Sequence, residues 1–161
     1  MYHLAQVNIG RLLAPLDDPR IVGFVSELGP INALADDSPG FIWRLQTADG
    51  DATAMRPYDD DRIIFNMSVW ASLADLTAFS YGSRHRQVMQ QRRRWFERPD
   101  GLFMVLWWIP AGHIPSVAEG KERLELLQAH GETPDAFSFK RPFASPDAMA
   151  AALEGTLASC S

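Results

Sequence analysis

"RIIFNMSVWASLADLTAF", residues 62–79, decides the fold. Its first half alternates strictly, with Ile63, Phe65, Met67 and Val69 on one face and Ile64, Asn66, Ser68 and Trp70 on the other. β-branched and aromatic residues at that period predict a strand. Ser72, with Asp75 three residues on, then opens a helix in the manner of a capping box. A strand feeding directly into a helix sets the phase for everything around it.

Toward the N-terminus, "SPG" turns the chain into "FIWRLQT", a strand from Gly40 to about Thr47. The loop "ADGDATAMRPYDDD" follows it, with a turn signal at Asp49-Gly50 and an extension of the pairing expected over Ala52 to Arg56. Upstream, Asp18 as N-cap and Pro19 at the first helical position start a helix. Ile21, Phe24, Val25, Leu28, Ile31 and Leu34 or Ala35 supply its apolar stripe, and Gly29-Pro30 predicts a kink or a restart. "YHLAQVNIGRL" is a strand from Tyr2 to about Leu12, with Ala5, Val7 and Ile9 opposite Leu4, Gln6 and Asn8.

Toward the C-terminus, Leu73, Leu76 and Phe79 are out of phase with the apolar positions after Gly82, so the helix bends or breaks there. "LFMVLWWIP" is a fourth strand ended by Pro110, with Trp107 and Trp108 on opposite sides. Ser116 and Glu119 cap another helix that turns Val117, Gly120, Leu124 and Leu127 inward and ends at His130-Gly131. "TPDAFSFKRPF" reads as an extended tail with aromatic anchors, and Ser145-Pro146 starts a C-terminal helix. The order β-α-β-β-α-β predicts an α+β, ferredoxin-like domain over residues 1–140, with a helical extension over 141–161. Helices on one face would leave the other face bare. A partner sheet is its simplest cover, so a homodimer, a dimeric α+β barrel, is expected.

A chain of 161 residues supports one such domain, and five Trp with nine Phe supply its apolar area without a metal or disulfide. The net charge of −5 argues against a nucleic-acid partner. The lone cysteine, Cys160, makes no internal disulfide. With neither a signal-peptide pattern nor 18 uninterrupted apolar residues, a soluble, cytoplasmic protein with no membrane partner is expected.

Function is sought first in "YGSRHRQVMQQRRRWF", residues 81–96. On one helix Tyr81, His85, Val88, Met89, Arg92, Trp95 and Phe96 share a core-facing arc, yet a titratable ring and a fixed cation stand at its centre. His85 is either a proton shuttle or ligand, or a half-buried ring bonded to its surroundings. Arg92 requires an anion, which is either a bound ligand or one of Glu27, Asp59, Asp60 and Asp61. Tyr81 either offers its phenol to a ligand or caps the core. Gln6, Asn8, Arg44, Asn66, Ser68 and Trp70 form a second constellation, lining a cavity or a polar dimer interface. His113 lies in a loop before a helix cap. His3 and His130 read as surface residues and the "DDD" run at 59–61 as solvated carboxylates. No metal-ligand spacing occurs, and no GxGxxG, Walker or GxSxG pattern.

"SPGFIWRL", "NMSVWASLADLTAF", "RHRQVMQQRRRWF" and "FMVLWWIPAGHIP" resemble the family of domain of unknown function 3291, over roughly Leu4 to Phe139. The resemblance implies a bacterial protein of the dimeric α+β barrel superfamily. More distantly, "PGF" before a strand and the Trp70, Phe79 and His85 region resemble antibiotic-biosynthesis monooxygenase domains. That group includes cofactor-free oxygenases of electron-rich aromatic molecules and haem-degrading enzymes. The haem degraders use an Asn, a Trp and a His. Asn8 and His85 match the outer two here, while Phe79 stands at the Trp position.

The expectation is therefore a small-molecule enzyme acting on a hydrophobic or aromatic substrate in a pocket between the sheet and the second helix. His85 would handle a proton or ligate haem, Arg92 would offset negative charge, and Asn8 or Tyr81 would orient the substrate. Asn66 would add a polar contact, and Trp70, Trp95 and Trp108 an apolar wall. No cofactor is required by the sequence. An isomerase, cyclase or dehydratase on the same scaffold, a non-catalytic ligand-binding dimer, and a structural dimer are the alternatives.

Overall fold

The computed structural model describes residues 1–158 of the chain. Four strands, β1 (Tyr2–Arg11), β2 (Phe41–Arg44), β3 (Ile63–Trp70) and β4 (Met104–Pro110), form one antiparallel sheet in the order β2-β3-β1-β4. Helices α1 (Val22–Asp36), α2 (Leu73–Ser80), α3 (Ser83–Gln90), α4 (Val117–His130) and α5 (Pro146–Ala158) complete it. With α2 and α3 interrupting one crossover, this is the ferredoxin-like α+β arrangement that the alternation predicts.

Register fixes the two faces. Leu4, Gln6 and Asn8 of β1 stand opposite Trp70, Ser68 and Asn66 of β3, and opposite Trp108, Leu106 and Met104 of β4. This first face carries α1, α2 and α3: Ala35 and Leu76 pack with Leu4, Trp70 and Leu106. On the second face Ala5, Val7, Met67, Val69, Val105 and Trp107 meet Leu124 and Leu127 of α4. The sheet is thus covered on both sides within one chain, and the bare face expected from the sequence is absent. The reason lies at Gly120. A Cβ there would lie 2.8 Å from Val7 Cγ2 and 2.9 Å from Met67 Sδ, so its absence lets α4 lie flat on the sheet.

Most local signals act as read. Ser72 Oγ accepts from the Asp75 N–H (3.1 Å), Ser116 Oγ accepts from the Glu119 N–H (3.1 Å), and Gly82 separates α2 from α3. Phe137 extends the sheet edge beside Leu106, and Trp108 Nε1 donates to the Phe143 carbonyl (2.9 Å), so the tail is anchored by its aromatics. Helix α1 does not restart at Pro30 but continues through it, and the carbonyl that loses its donor belongs to exposed Ser26. One expectation changes. Strand β2 stops at Arg44, and Ala52 to Arg56 form turns, with Met55 packing under the loop.

Candidate functional site

On the face that carries α1, α2 and α3, polar side chains run along the sheet as one chain of hydrogen bonds. Asn8 Nδ2 donates to Gln6 Oε1 (3.3 Å), Gln6 Nε2 to Ser68 Oγ (2.9 Å), and Trp70 Nε1 to the same oxygen (2.9 Å). Gln6 and Ser68 are buried, Asn8 is half-buried, and Asn66, its cross-strand neighbour, is exposed. The strip therefore begins sealed beneath Trp70 and opens to solvent at Asn8 and Asn66. Arg44, expected beside them, is committed elsewhere: its guanidinium bonds Asp36 (2.7 and 3.1 Å) and the Gly50 carbonyl.

His85 lies on this same side of the sheet, which strand parity alone left open. Phe79 stacks on fully buried Trp70 at 5.0 Å, and the His85 ring lies against Phe79 at 4.9 Å. Nδ1 of His85 is 2.8 Å from the Ser80 carbonyl, which only accepts, so Nδ1 carries the proton and Nε2 holds the lone pair. Nε2 has no protein partner among the described residues. Burial pushes the ring's pKa below its usual value, opposed only in part by the Ser80 carbonyl. The ring is a neutral base fixed in one tautomer.

Arg92 stands just past the end of α3, in a 3-10 turn over Arg92–Arg94. That change of pitch removes it from the straight stripe drawn through 81–96, and no contact joins it to His85. It sits over the far end of β1 instead, where Gly10 leaves room: a Cβ there would meet Phe96 at 2.7 Å and Arg92 Nη2 at 3.0 Å. Nη2 donates to the Ile9 carbonyl (3.2 Å), and the guanidinium lies over Phe103 at 4.6 Å and Phe96 at 5.3 Å.

The remaining candidates separate. Tyr81 caps α2 at 63% exposure, and among the described residues its one ring contact is Phe139, edge-on, away from the strip. The proposed tryptophan wall is divided. Trp70 and Trp108 belong to the cluster under α2 and the tail, whereas Trp95 packs with Leu12, Ile21, Phe24 and Ile64 at the opposite end. Trp70 is fully enclosed, so it supports the site from beneath and lines no open surface. His113 bonds Glu119 Oε2 (2.7 Å), whose other oxygen accepts from Trp107 Nε1 (3.0 Å), and so braces the start of α4. Gly10 and Phe103 are the residues that sequence reasoning passed over. A glycine inside an alternating strand was the available signal for the first.

Haem requires a broad slot beside His85. Phe79 fills the space between His85 and Trp70, and the cleft that Phe79 lines with Leu34, Ser38, Ala78, Gly82 and Arg84 measures about 190 Å³, too small for a porphyrin. Haem does not fit this arrangement. Among the described residues no cluster of three or more His, Cys, Asp or Glu is placed to hold a metal ion, and no helix is long and apolar enough to cross a membrane.

The fold and this strip define a ferredoxin-like α+β protein with a strip of polar residues on the sheet face that carries α1, α2 and α3. The chain belongs to the family described as Domain of unknown function (DUF3291), which matches residues 3–153. No curated protein matches the chain. Among solved structures it is similar to SnoaB, a cofactor-independent oxygenase from Streptomyces nogalater, at 14% identity and a TM-score of 0.48 over 71% of this chain and 97% of that one. It is also similar to a Chloroflexus aurantiacus protein named for antibiotic biosynthesis monooxygenases (17% identity, TM-score 0.47, 69% and 96% covered). PA3566 from Pseudomonas aeruginosa is a third (11%, 0.46, 68% and 93%).

Proposed function

We propose that the protein is a small-molecule enzyme acting on a hydrophobic or aromatic substrate laid along the Gln6–Asn8–Asn66–Ser68 strip, in the manner of monooxygenase-type α+β barrels. The observation that carries this reading is His85. Its tautomer is fixed, its ring is neutral, and its free Nε2 lies on the same side of the sheet as the strip's open end. In that role Nε2 takes a proton from an acidic hydroxyl or C–H of the substrate, while Asn8 and Asn66 orient the oxygen. The resulting electron-rich anion suits attack on dioxygen, and an isomerase or dehydratase would begin with the same proton transfer.

The test is oxygen uptake and product formation with a panel of hydroxylated polycyclic aromatics, comparing wild type with His85→Ala. Loss of about 10²–10⁴-fold in turnover supports general-base catalysis. Equal turnover sinks it, and ligand binding without turnover in either protein leaves a carrier.

The pH dependence follows from the direction of the His85 shift. Because its folded pKa lies below the unfolded value near 6.5, the unfolded chain takes up the proton first as pH falls. The ring's contribution to stability is complete above about pH 6.5 and declines below it, levelling off beneath the folded pKa. Turnover should hold its plateau to a pH lower than an ordinary histidine allows. Urea titrations at a series of pH values, with His85→Gln as reference, should show a shallower acid slope in the variant.

A homodimer working in the cytoplasm remains part of this reading. What supports pairing is now the outer side of α1, where Val22 and Val25, three residues apart, are exposed. The single cysteine suits a reducing compartment. Light scattering that returns the monomer mass across the concentration range removes the dimer.

A further inference from the structure

We propose that Arg92 is the anchor for a carboxylate on the substrate, so that the enzyme's substrates are aromatic acids. This rests on the reading of the strip as the substrate site. The carboxylates expected to neutralise Arg92 are not on it. Glu27 bonds Arg84 (2.6 Å), Asp60 bonds Arg11 (2.6 Å), and neither Asp59 nor Asp61 forms an ion pair with Arg92. Among the described residues no carboxylate pairs with Arg92, its Nε is buried without a hydrogen-bond partner, and its side chain's one hydrogen bond goes to a backbone carbonyl. Every other half-buried arginine that meets an acid in this chain does so through a direct ion pair. A desolvated cation left without a counter-charge is costly to a fold, and a bound anion removes that cost.

The surroundings shape the group for a planar partner. Phe103 and Phe96 lie against the guanidinium and hold its orientation, and Gly10 lets it come down onto β1. Nη1 has no partner among the described residues and is not sealed from solvent, so it is the nitrogen open to a carboxylate, with the second N–H of Nη2 beside it to complete an end-on fork. Asn8 is two residues from Gly10 on the same face of β1, about 7 Å along the strand. His85 and Arg92 stand over the same face of the sheet, and an acid of fused rings with its carboxylate at Arg92 lies along the strip toward His85.

The test is calorimetric titration of the full chain with 6-hydroxy-2-naphthoate and its neutral amide, 6-hydroxy-2-naphthamide. The acid should bind at least about tenfold more tightly than the amide, the scale of one charge-assisted fork. Arg92→Gln should bring the two within about threefold, and Arg92→Lys, which keeps the charge without the fork, should fall between. His85→Ala should weaken both probes alike and leave their ratio intact. Equal affinities in the wild-type protein, an unchanged ratio in Arg92→Gln, or no binding of either probe at millimolar concentration overturns the proposal. The wild-type ratio decides even if Arg92→Gln fails to fold. A ratio that depends on Arg92 in a protein whose turnover ignores His85 overturns the catalytic reading alone.

Discussion

Trp70→Ala should unfold about 6–20 °C below the wild-type protein, the consequence of losing about 3–5 kcal/mol from a chain of this size. Trp70 is fully buried, with Phe41 edge-on at 5.5 Å and Phe79 stacked at 5.0 Å, and its Nε1 donates to Ser68 Oγ. Truncation leaves a cavity walled by Leu4, Leu76 and Leu106, which are held by strands and helix and collapse only partly. The same ring supports the site at one remove, because Phe79 rests on Trp70 and His85 rests on Phe79. Trp70→Phe separates the two roles. It keeps an aromatic surface for Phe79 and removes the N–H, so most of the stability should return while the Gln6–Ser68 end of the strip loosens. Turnover in Trp70→Phe should recover further than in Trp70→Ala at a temperature where both remain folded. Thermal melts followed by circular dichroism, paired with initial rates, give both numbers. Equal rates in the two variants would detach Trp70 from the site.

Period and punctuation made most of the fold legible. Strict alternation put Gln6 with Asn8 on one side of β1 and Asn66, Ser68 and Trp70 together on one side of β3, the register then joined the two sets, and Ser72, Gly82 and Ser116 act where they were read. Alternation reports parity, however, and parity does not say which face a helix will choose. That is why the position of His85 relative to Asn8, and the seat of α4, required three dimensions. The stripe drawn through 81–96 failed for a related reason. It assumed a uniform 100° step, whereas a break at Gly82 and a 3-10 turn at Arg92–Arg94 reset the phase twice. Val88, Trp95 and Phe96 still reach one cluster, but Tyr81 falls outside and His85 joins another. Arg92's lack of a counter-ion was equally hidden. Charge counting finds acids in abundance, and only the contacts show each of the near candidates committed to a different arginine or to none.

Gly120→Leu carries the other large effect, and its smaller relative Gly120→Ala decides a structural question. A Cβ at position 120 would meet Val7 Cγ2 at 2.8 Å, Met67 Sδ at 2.9 Å and Phe65 Cζ at 3.1 Å, all on fully buried side chains. Val7 is stiff at χ1 and cannot swing aside, so α4 must lift from the sheet. Overpacking of this kind costs about 1–3 kcal/mol, set against a gain of about 1 kcal/mol for replacing glycine within a helix. Gly120→Ala should therefore destabilise slightly, and Gly120→Leu by about 3 kcal/mol or more, since its three further carbons add to a site where a Cβ alone is already too close to the sheet. The sign for alanine carries the information. If α4 left this face and a second sheet took its place, position 120 would be an ordinary helical site, and alanine would stabilise by about 1 kcal/mol. Urea unfolding of Gly120→Ala at two protein concentrations a hundredfold apart reads both possibilities together. A small loss that does not change with concentration means that α4 is the cover of this face and that pairing, where it occurs, uses another surface. A gain in stability that grows with concentration means that the face is exchanged between subunits.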